Sequence, residues 1–192
     1  MLNMNKVRKN IVIQGLGFVG SAMAIAVASK LNDDGKPIYD ITGVDLPSGP
    51  GQERIDSINE GRFPFATNDK TLNNELQKAI ERCNLRATSD SNAYSEADIV
   101  IVSINCDLEK QNGQVKIALG NFTDSIGEIA ENISENTLVI IESTVPPGTC
   151  EKIIYPIFQN AFNNRKLDIN KFYLAHSYER VMPGENYLDS II

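Results

Sequence analysis

The sequence predicts an α/β domain, a doubly wound and mainly parallel sheet with helices on both faces. Three observations predict it. Short apolar runs alternate with helix-length segments along the chain. Some of these runs, "DIVIVSI" at 98–104 above all, lack a polar alternate, as strands covered on both faces do. And "GLGFVG", Gly15 to Gly20, stands where the first apolar run gives way to the first helical segment.

Each element has its own signal. "NIVIQG" is an apolar run stopped by glycine and reads as the first strand. Phe18 to Leu31 is alanine-rich and ends at the turn cluster "NDDGKP", so it reads as a helix. "YDITGVDL" is a β-branched strand with an acidic end. After the loop "PSGPGQ", "ERIDSINEG" is a short helix stopped by Gly61. "RFPFATND" is a loop, and 48–74 as a whole is long for a strand–helix connection, so a surface excursion is expected there. Thr71 to Cys83 puts Leu72, Leu76, Ala79 and Ile80 on one helical face. "LRAT" is a strand, and "SDSNAYSEA" a short helix with a serine or aspartate to cap it. Beyond "DIVIVSI", "NCDLEKQNGQ" reads as a loop, Ile117 to Ile133 as a helix and "TLVIIES" as a strand. "TVPPGT" is a loop, Thr149 to Phe162 a helix, and "FYLAH" the last strand.

Composition bounds the function. A chain of 192 residues with 42% apolar and 22% charged residues fits one globular domain. A net charge of −7 argues against binding to nucleic acid or to an anionic membrane surface. It leaves room for an anionic small ligand, because a helix N-terminus holds phosphate without a lysine. The cysteines, Cys83, Cys106 and Cys150, are odd in number and form no CxxC pair. Neither a disulfide framework nor a zinc site is expected, and with one histidine, His176, no metal is expected at all. No signal peptide and no membrane-spanning run is visible, and the expected location is cytoplasmic.

Gly15, Gly17 and Gly20 form GxGxxG, with a strand before and a helix after. The first glycine permits a tight turn, the second lets the backbone approach a pyrophosphate, and the third allows close packing. Phe18 and Val19 lie inside the motif. Asp45 ends the second strand, where a carboxylate accepts hydrogen bonds from the adenosine ribose. The constellation points to a Rossmann-like dinucleotide site. Asp45 would repel a 2′-phosphate and no arginine directly follows it, so the cofactor expected is NAD rather than NADP.

A ligand of such a sheet lies across the carboxyl ends of the strands. The loops that should line it carry Ser103, Ile104 and Asn105, then Ser143 and Thr144, then His176, Glu179 and Arg180. Ser143 and Thr144 can offer hydroxyls to nicotinamide or substrate, or serve as turn and cap residues. Glu179 and Arg180 can be site residues or a solvated surface pair. His176 reads more simply as a hydrogen-bonding residue than as a base or ligand.

Taken together, "GLGFVG", "GVDLP", "INEGRFPF", "ADIVIVSIN", "ESTVPPGT" and "ERVMPG" resemble the UDP-glucose/GDP-mannose (nucleotide-sugar) 6-dehydrogenases, in the family's order and over nearly the whole chain. The resemblance is to the N-terminal NAD-binding domain. It implies oxidation of a UDP-sugar C6 alcohol to a uronic acid with two NAD, through a thiohemiacetal and a thioester on a cysteine. By motif position Thr144 looks like the threonine that helps hold a catalytic water, and Glu179 like the glutamate that assists hydrolysis and proton transfer. Ile104 and Asn105 look like a cofactor-facing loop. Three positions depart from the pattern. Asp107 and Leu108 stand where a proline-containing turn is common, Tyr178 where a proline commonly precedes the glutamate, and Pro183 where some members have a second glutamate. The pattern looks nearer to the UDP-N-acetylhexosamine branch.

In the resembled family the nucleophilic cysteine, a central helix and the substrate domain lie downstream of these motifs, and neither Cys106 nor Cys150 is placed to replace that cysteine. The expectation is therefore an NAD-binding domain that is inactive alone, its nucleotide-sugar partner needing the remainder of the enzyme. The family's central helix forms its dimer, so a homodimer is expected of the full-length enzyme. For this chain the expectation is a monomer or weak self-association, with a mobile tail over 186–192. A stand-alone NAD-binding or sensing module is the rival reading. Enzymes of the 3-hydroxyacyl or 6-phosphogluconate type are a further alternative.

Overall fold

The structure is a computed structural model and describes residues 8–111, 114–178 and 184–191. Six strands form an all-parallel sheet in the order β3-β2-β1-β4-β7-β8. They are β1 Lys9–Gln14, β2 Tyr39–Val44, β3 Leu85–Thr88, β4 Ile99–Val102, β7 Leu138–Ile141 and β8 Tyr173–His176. The chain winds outward from β1 in one direction and from β4 in the other, so the switch point of a doubly wound sheet lies between them. The register aligns Val44, Gln14, Val102, Ile141 and His176 in one row across the sheet. Gly15, Asp45, Ser103 and Glu142 each follow a member of that row, and so share one edge.

Helices cover both faces. Helices α1 (Phe18–Ala28) and α3 (Lys70–Glu81) pack on a core that includes Ile13, Leu16, Ile25, Leu72 and Leu76. Helices α4 (Gly120–Asn132) and α5 (Tyr155–Arg165) cover the other face, over Val12, Val100, Phe122, Ile126 and Phe158. The alanines of α1 let it lie close to the sheet: Ala22, Ala24 and Ala28 are fully buried. This helix stops at Ala28 rather than Leu31. There the Ser29 hydroxyl donates back to the Ile25 carbonyl, and the Asn32 side chain accepts from the Asp34 and Lys36 amides to form the turn.

Four further expectations change. The loop read at "NCDLEKQNGQ" is instead an antiparallel hairpin, β5 (Asp107–Gln111) with β6 (Gln114–Ala118), and α4 begins three residues later than read. The segment 48–74 is no surface excursion. It contains α2 (Pro50–Asn59), starting at Pro50 after Gly49, and it buries Ile55, Ile58 and Phe63 in the core. The helix read from Thr149 opens as a π-wound turn, Cys150–Ile154, before α5. Pro156 has no N–H for the carbonyl of Lys152, which removes one α-helical bond at that place. Finally, the tail is not loose over its described part. Helix α6 (Tyr187–Ile191) buries Tyr187 and Leu188 against the α1 face.

What holds α6 is visible in the side chains. The Tyr187 ring stands 5.0 Å from that of Phe18, which also packs on Phe63 and Phe65. The Asp69 carboxylate, buried, caps α3 through the Thr71 amide at 2.8 Å and accepts from the Leu188 amide at 2.8 Å. One carboxylate thus serves two helix starts, reaching from Asp69 to an amide 119 residues further along the chain. No helix among the described residues is long and apolar enough to cross a membrane.

Candidate cofactor site

The carboxyl edge of the sheet opens into a cavity of 990 Å³. Its floor is the glycine turn. Gly15 has φ of +92°, and a Cβ there would lie 2.6 Å from the Ser103 carbonyl oxygen. Only glycine fits both demands. Gly20 lies behind the turn and does not line the cavity; a Cβ on it would fall 1.9 Å from the Gly15 carbonyl oxygen. Gly17 is the reverse case. Nothing stands within 4 Å of where its Cβ would be, because that side opens onto the cavity. Gly17 is also the N-cap of α1 and offers no side chain to its first amides, and the first turn carries no acidic residue. The start of α1 is left open to an anion.

Asp45 sits beside this turn and is fixed from four directions. Oδ2 accepts from the Leu16 amide at 2.9 Å and from Arg54 Nε at 2.8 Å. Oδ1 accepts from the Leu46 amide at 2.8 Å and from Arg54 Nη2 at 3.0 Å. The carboxylate therefore ties β2 to the glycine turn as well as facing the cavity. Arg54 was missed by sequence reasoning, which looked directly after Asp45. It comes nine residues later, because α2 carries it back, and it is the only basic residue between Asp45 and Gly61.

The far wall comes from the loops after β4 and β7. Ser103, Ile104 and Asn105 line the cavity, with Phe18 and Val19 from the start of α1. Ser143 and Thr144 also line it but differ in kind. The Ser143 hydroxyl accepts from the Ile104 amide at 2.9 Å and donates to the Val102 carbonyl at 3.3 Å. It brackets the two loops together, which is the turn role. Thr144 is exposed, and its hydroxyl makes no hydrogen bond to a described residue. Of the three thiols, Cys106 lines the cavity, Cys150 is half-buried with its thiol pushed up by burial, and Cys83 is exposed. His176 is exposed at the end of β8 with its ring 6.3 Å from Tyr178, outside the cavity. Glu179 and Arg180 lie outside the described residues. Among the described residues no cluster of histidine, cysteine, aspartate and glutamate can hold a metal.

Helix α4 closes the remaining side with Asn121, Asp124, Ser125 and Glu128, none of which the sequence singled out. They fall inside the helix read at 117–133, and only the fold turns that face of it to the cavity. Gln14 was also missed and lines the same cavity.

Comparison with known proteins agrees with this geometry. The sequence model described as UDP-glucose/GDP-mannose dehydrogenase family, NAD binding domain, matches residues 9–191. The UDP-N-acetyl-D-mannosamine dehydrogenase of Methanocaldococcus jannaschii is 30% identical over 180 residues, which is 94% of this chain and 36% of that protein. The GDP-mannose 6-dehydrogenase of Pseudomonas savastanoi pv. phaseolicola is 28% identical over 152 residues, 78% of this chain and 32% of that protein. Among solved structures, an NDP-N-acetyl-D-galactosaminuronic acid dehydrogenase from Methanosarcina mazei Go1 superposes with a TM-score of 0.83 at 24% identity, over 95% of this chain and 37% of that one. The chain spans about a third of the length of the proteins it matches.

Proposed function

The chain belongs to the UDP-glucose/GDP-mannose dehydrogenase family, in its NAD binding domain, and from that premise we propose how its residues serve the cofactor and which enzyme they serve. NAD lies along the carboxyl edge of the sheet, its pyrophosphate at the start of α1 and its adenosine ribose at Asp45. The observation that carries this is the pairing of Gly17, bare toward the cavity, with Asp45, held next to the turn by the Leu16 amide. Each oxygen of Asp45 already accepts two bonds. A carboxylate offers roughly four acceptor sites, so a ribose hydroxyl is taken up by displacing Arg54. NAD supplies a hydride acceptor. The protein's part is to hold it, with Thr144 the exposed hydroxyl left for a water or a substrate beside the nicotinamide end, as the family position of Thr144 suggests.

The substrate class follows the relatives, whose names specify UDP-N-acetyl-D-mannosamine and GDP-mannose. We read the whole enzyme as oxidising the C6 alcohol of a nucleotide sugar, with a UDP-N-acetylhexosamine the first choice. Glu179 keeps its proposed part in hydrolysis on sequence position alone. The 192 residues by themselves bind NAD, as a monomer or weak self-associate, without turnover. Calorimetry is expected to show NAD binding tighter than NADP. Tighter NADP, or steady NADH formation by this chain with a UDP-sugar that survives Cys106→Ser and Cys150→Ser, would overturn the reading.

A further inference from the structure

Gln14 is a polar residue in an apolar place. It ends a strand that reads Ile11, Val12, Ile13, it pairs in register with Val44 and Val102, and it is 6% exposed. An amide there is costly unless it is hydrogen-bonded. Its protein partner is Tyr94, a fully buried phenol from the short 3-10 turn Ser91–Glu96, whose hydroxyl donates to Gln14 Oε1.

The direction of that bond follows from chemistry. Burial, with the carboxylates of Glu128 and Asp45 nearby, pushes the phenol far above its ordinary range, so it keeps its proton. A buried phenol O–H needs an acceptor, and among the described residues Tyr94 has the Gln14 amide as its hydrogen-bond partner. The atom it meets must be the amide oxygen. A phenol proton tells the two ends of an amide apart, because only the oxygen accepts it. Gln14 Nε2, with two N–H donors, is thereby turned away from Tyr94. No described residue accepts from it, and Gln14 lines the cofactor cavity.

We propose that Gln14 reads a ring nitrogen of the adenine base, positioned for it by Tyr94; this rests on the cofactor placement above. The base, not the nicotinamide, reaches this strip. With the ribose at Asp45 and the pyrophosphate at the glycine turn, the nicotinamide continues toward Ser143 and Thr144. The adenine is left between Leu46 and α4, above Gln14. Leu46 is 63% exposed and gives the ring an apolar face. Adenine carries acceptors at N1, N3 and N7, which suit an amide N–H donor.

The test is titration of the 192-residue chain with AMP, NAD and nicotinamide mononucleotide. Gln14→Leu is expected to weaken AMP and NAD by about threefold to tenfold and to leave the mononucleotide unchanged. Tyr94→Phe, which touches no ligand, is expected to weaken AMP by less, because the amide is no longer held. The unaltered chain gives a check that needs no folding variant: of 1-deaza-, 3-deaza- and 7-deaza-AMP, one should bind weaker than AMP by the same factor. That analogue should lose nothing further in Gln14→Leu. An unaltered chain that binds AMP and NAD but treats all three analogues like AMP overturns this proposal alone, as does a Gln14→Leu variant that matches it. A chain that binds neither AMP nor NAD overturns the cofactor placement and this proposal with it. Tyr94→Phe binding AMP like the parent removes the tyrosine's part.

Discussion

Asp45 and Thr144 stand in one cavity and are prepared very differently. Asp45 is buried and held by two backbone amides and both arms of Arg54. Thr144 is exposed and bonded to no described residue. The contrast extends outward. Behind the glycine turn, Phe18 is packed by Phe63, Phe65 and Tyr187. At the other end β8 is largely open, with Tyr173 half-exposed and His176 exposed. The Asp45 end of the cavity is thus finished by this chain's own packing, and a change to Asp45 itself must disturb fold and binding together. Thr144, at the other end of the cavity, makes no hydrogen bond to a described residue and is available to chemistry.

The sharpest break comes inside the glycine turn, where two glycines three residues apart, Gly17 and Gly20, should part company. Gly20→Ala places a Cβ 1.9 Å from a backbone oxygen that cannot move aside. A loss of stability of about 3 kcal/mol or more is expected, and NAD binding should go with it. Gly17→Val puts its side chain into open cavity instead. It should unfold within about 0.5 kcal/mol of the parent and still lose NAD. Denaturant midpoints read beside calorimetry separate the two; equal destabilisation would erase the distinction between a packing glycine and a ligand-facing one.

Asp45→Ala comes next. It strips the acceptor from Arg54, whose side chain is 23% exposed, and from the Leu16 and Leu46 amides. A cost of about 2–3 kcal/mol is expected, with weaker NAD binding. Arg54→Ala should cost less, because the two amides still satisfy the carboxylate. If Arg54→Ala proves the worse for stability, the arginine rather than the aspartate organises this end.

These pairs also show what the sequence made legible. Local signals sufficed for the sheet, for GxGxxG, for Asp45 at a strand end and for the Leu72–Leu76–Ala79 face of α3. The hairpin had a signal that went unused: Asn112-Gly113 lies between two segments of mixed polar and apolar residues, a common hairpin sequence. Arg54, Gln14 with Tyr94, and Asp69 with Leu188 had none, since each partnership joins residues 9, 80 and 119 positions apart. Contacts of that kind come from the folded sheet and leave no periodicity to read.

A smaller effect concerns the brace behind the glycine turn and is set by pH. Burial alone would raise the Asp69 carboxyl. The bonds from the Leu188 amide, the Thr71 hydroxyl and amide, and the Tyr187 amide outweigh it and hold the group below the ordinary 3.8. A depressed folded value means stability that is present above 3.8 and lost as pH falls through the folded value. Amide exchange in 187–191 should therefore speed up selectively as pH drops below about 4, after correction for intrinsic rates. In Asp69→Asn that acid step should vanish. An unaltered acid step in that variant would move the cause to another carboxylate.

The smallest effect is expected at Thr144, and it tests the other half of the contrast. Thr144→Val keeps the side-chain shape and removes an exposed hydroxyl that holds nothing described in this chain. Stability should stay within about 0.5 kcal/mol of the parent, as for surface changes away from packed features. NAD affinity should also stay within about twofold, because the placement proposed above puts the adenosine and pyrophosphate contacts elsewhere. Ser143→Ala, one residue earlier, is the control. Its hydroxyl bridges the Ile104 amide and the Val102 carbonyl, so its removal should cost about 1 kcal/mol. Thermal unfolding and calorimetry of both variants decide the matter. If Thr144→Val is the more damaging to the isolated chain, the hydroxyl is part of the scaffold, and its place as the group kept for water or substrate falls.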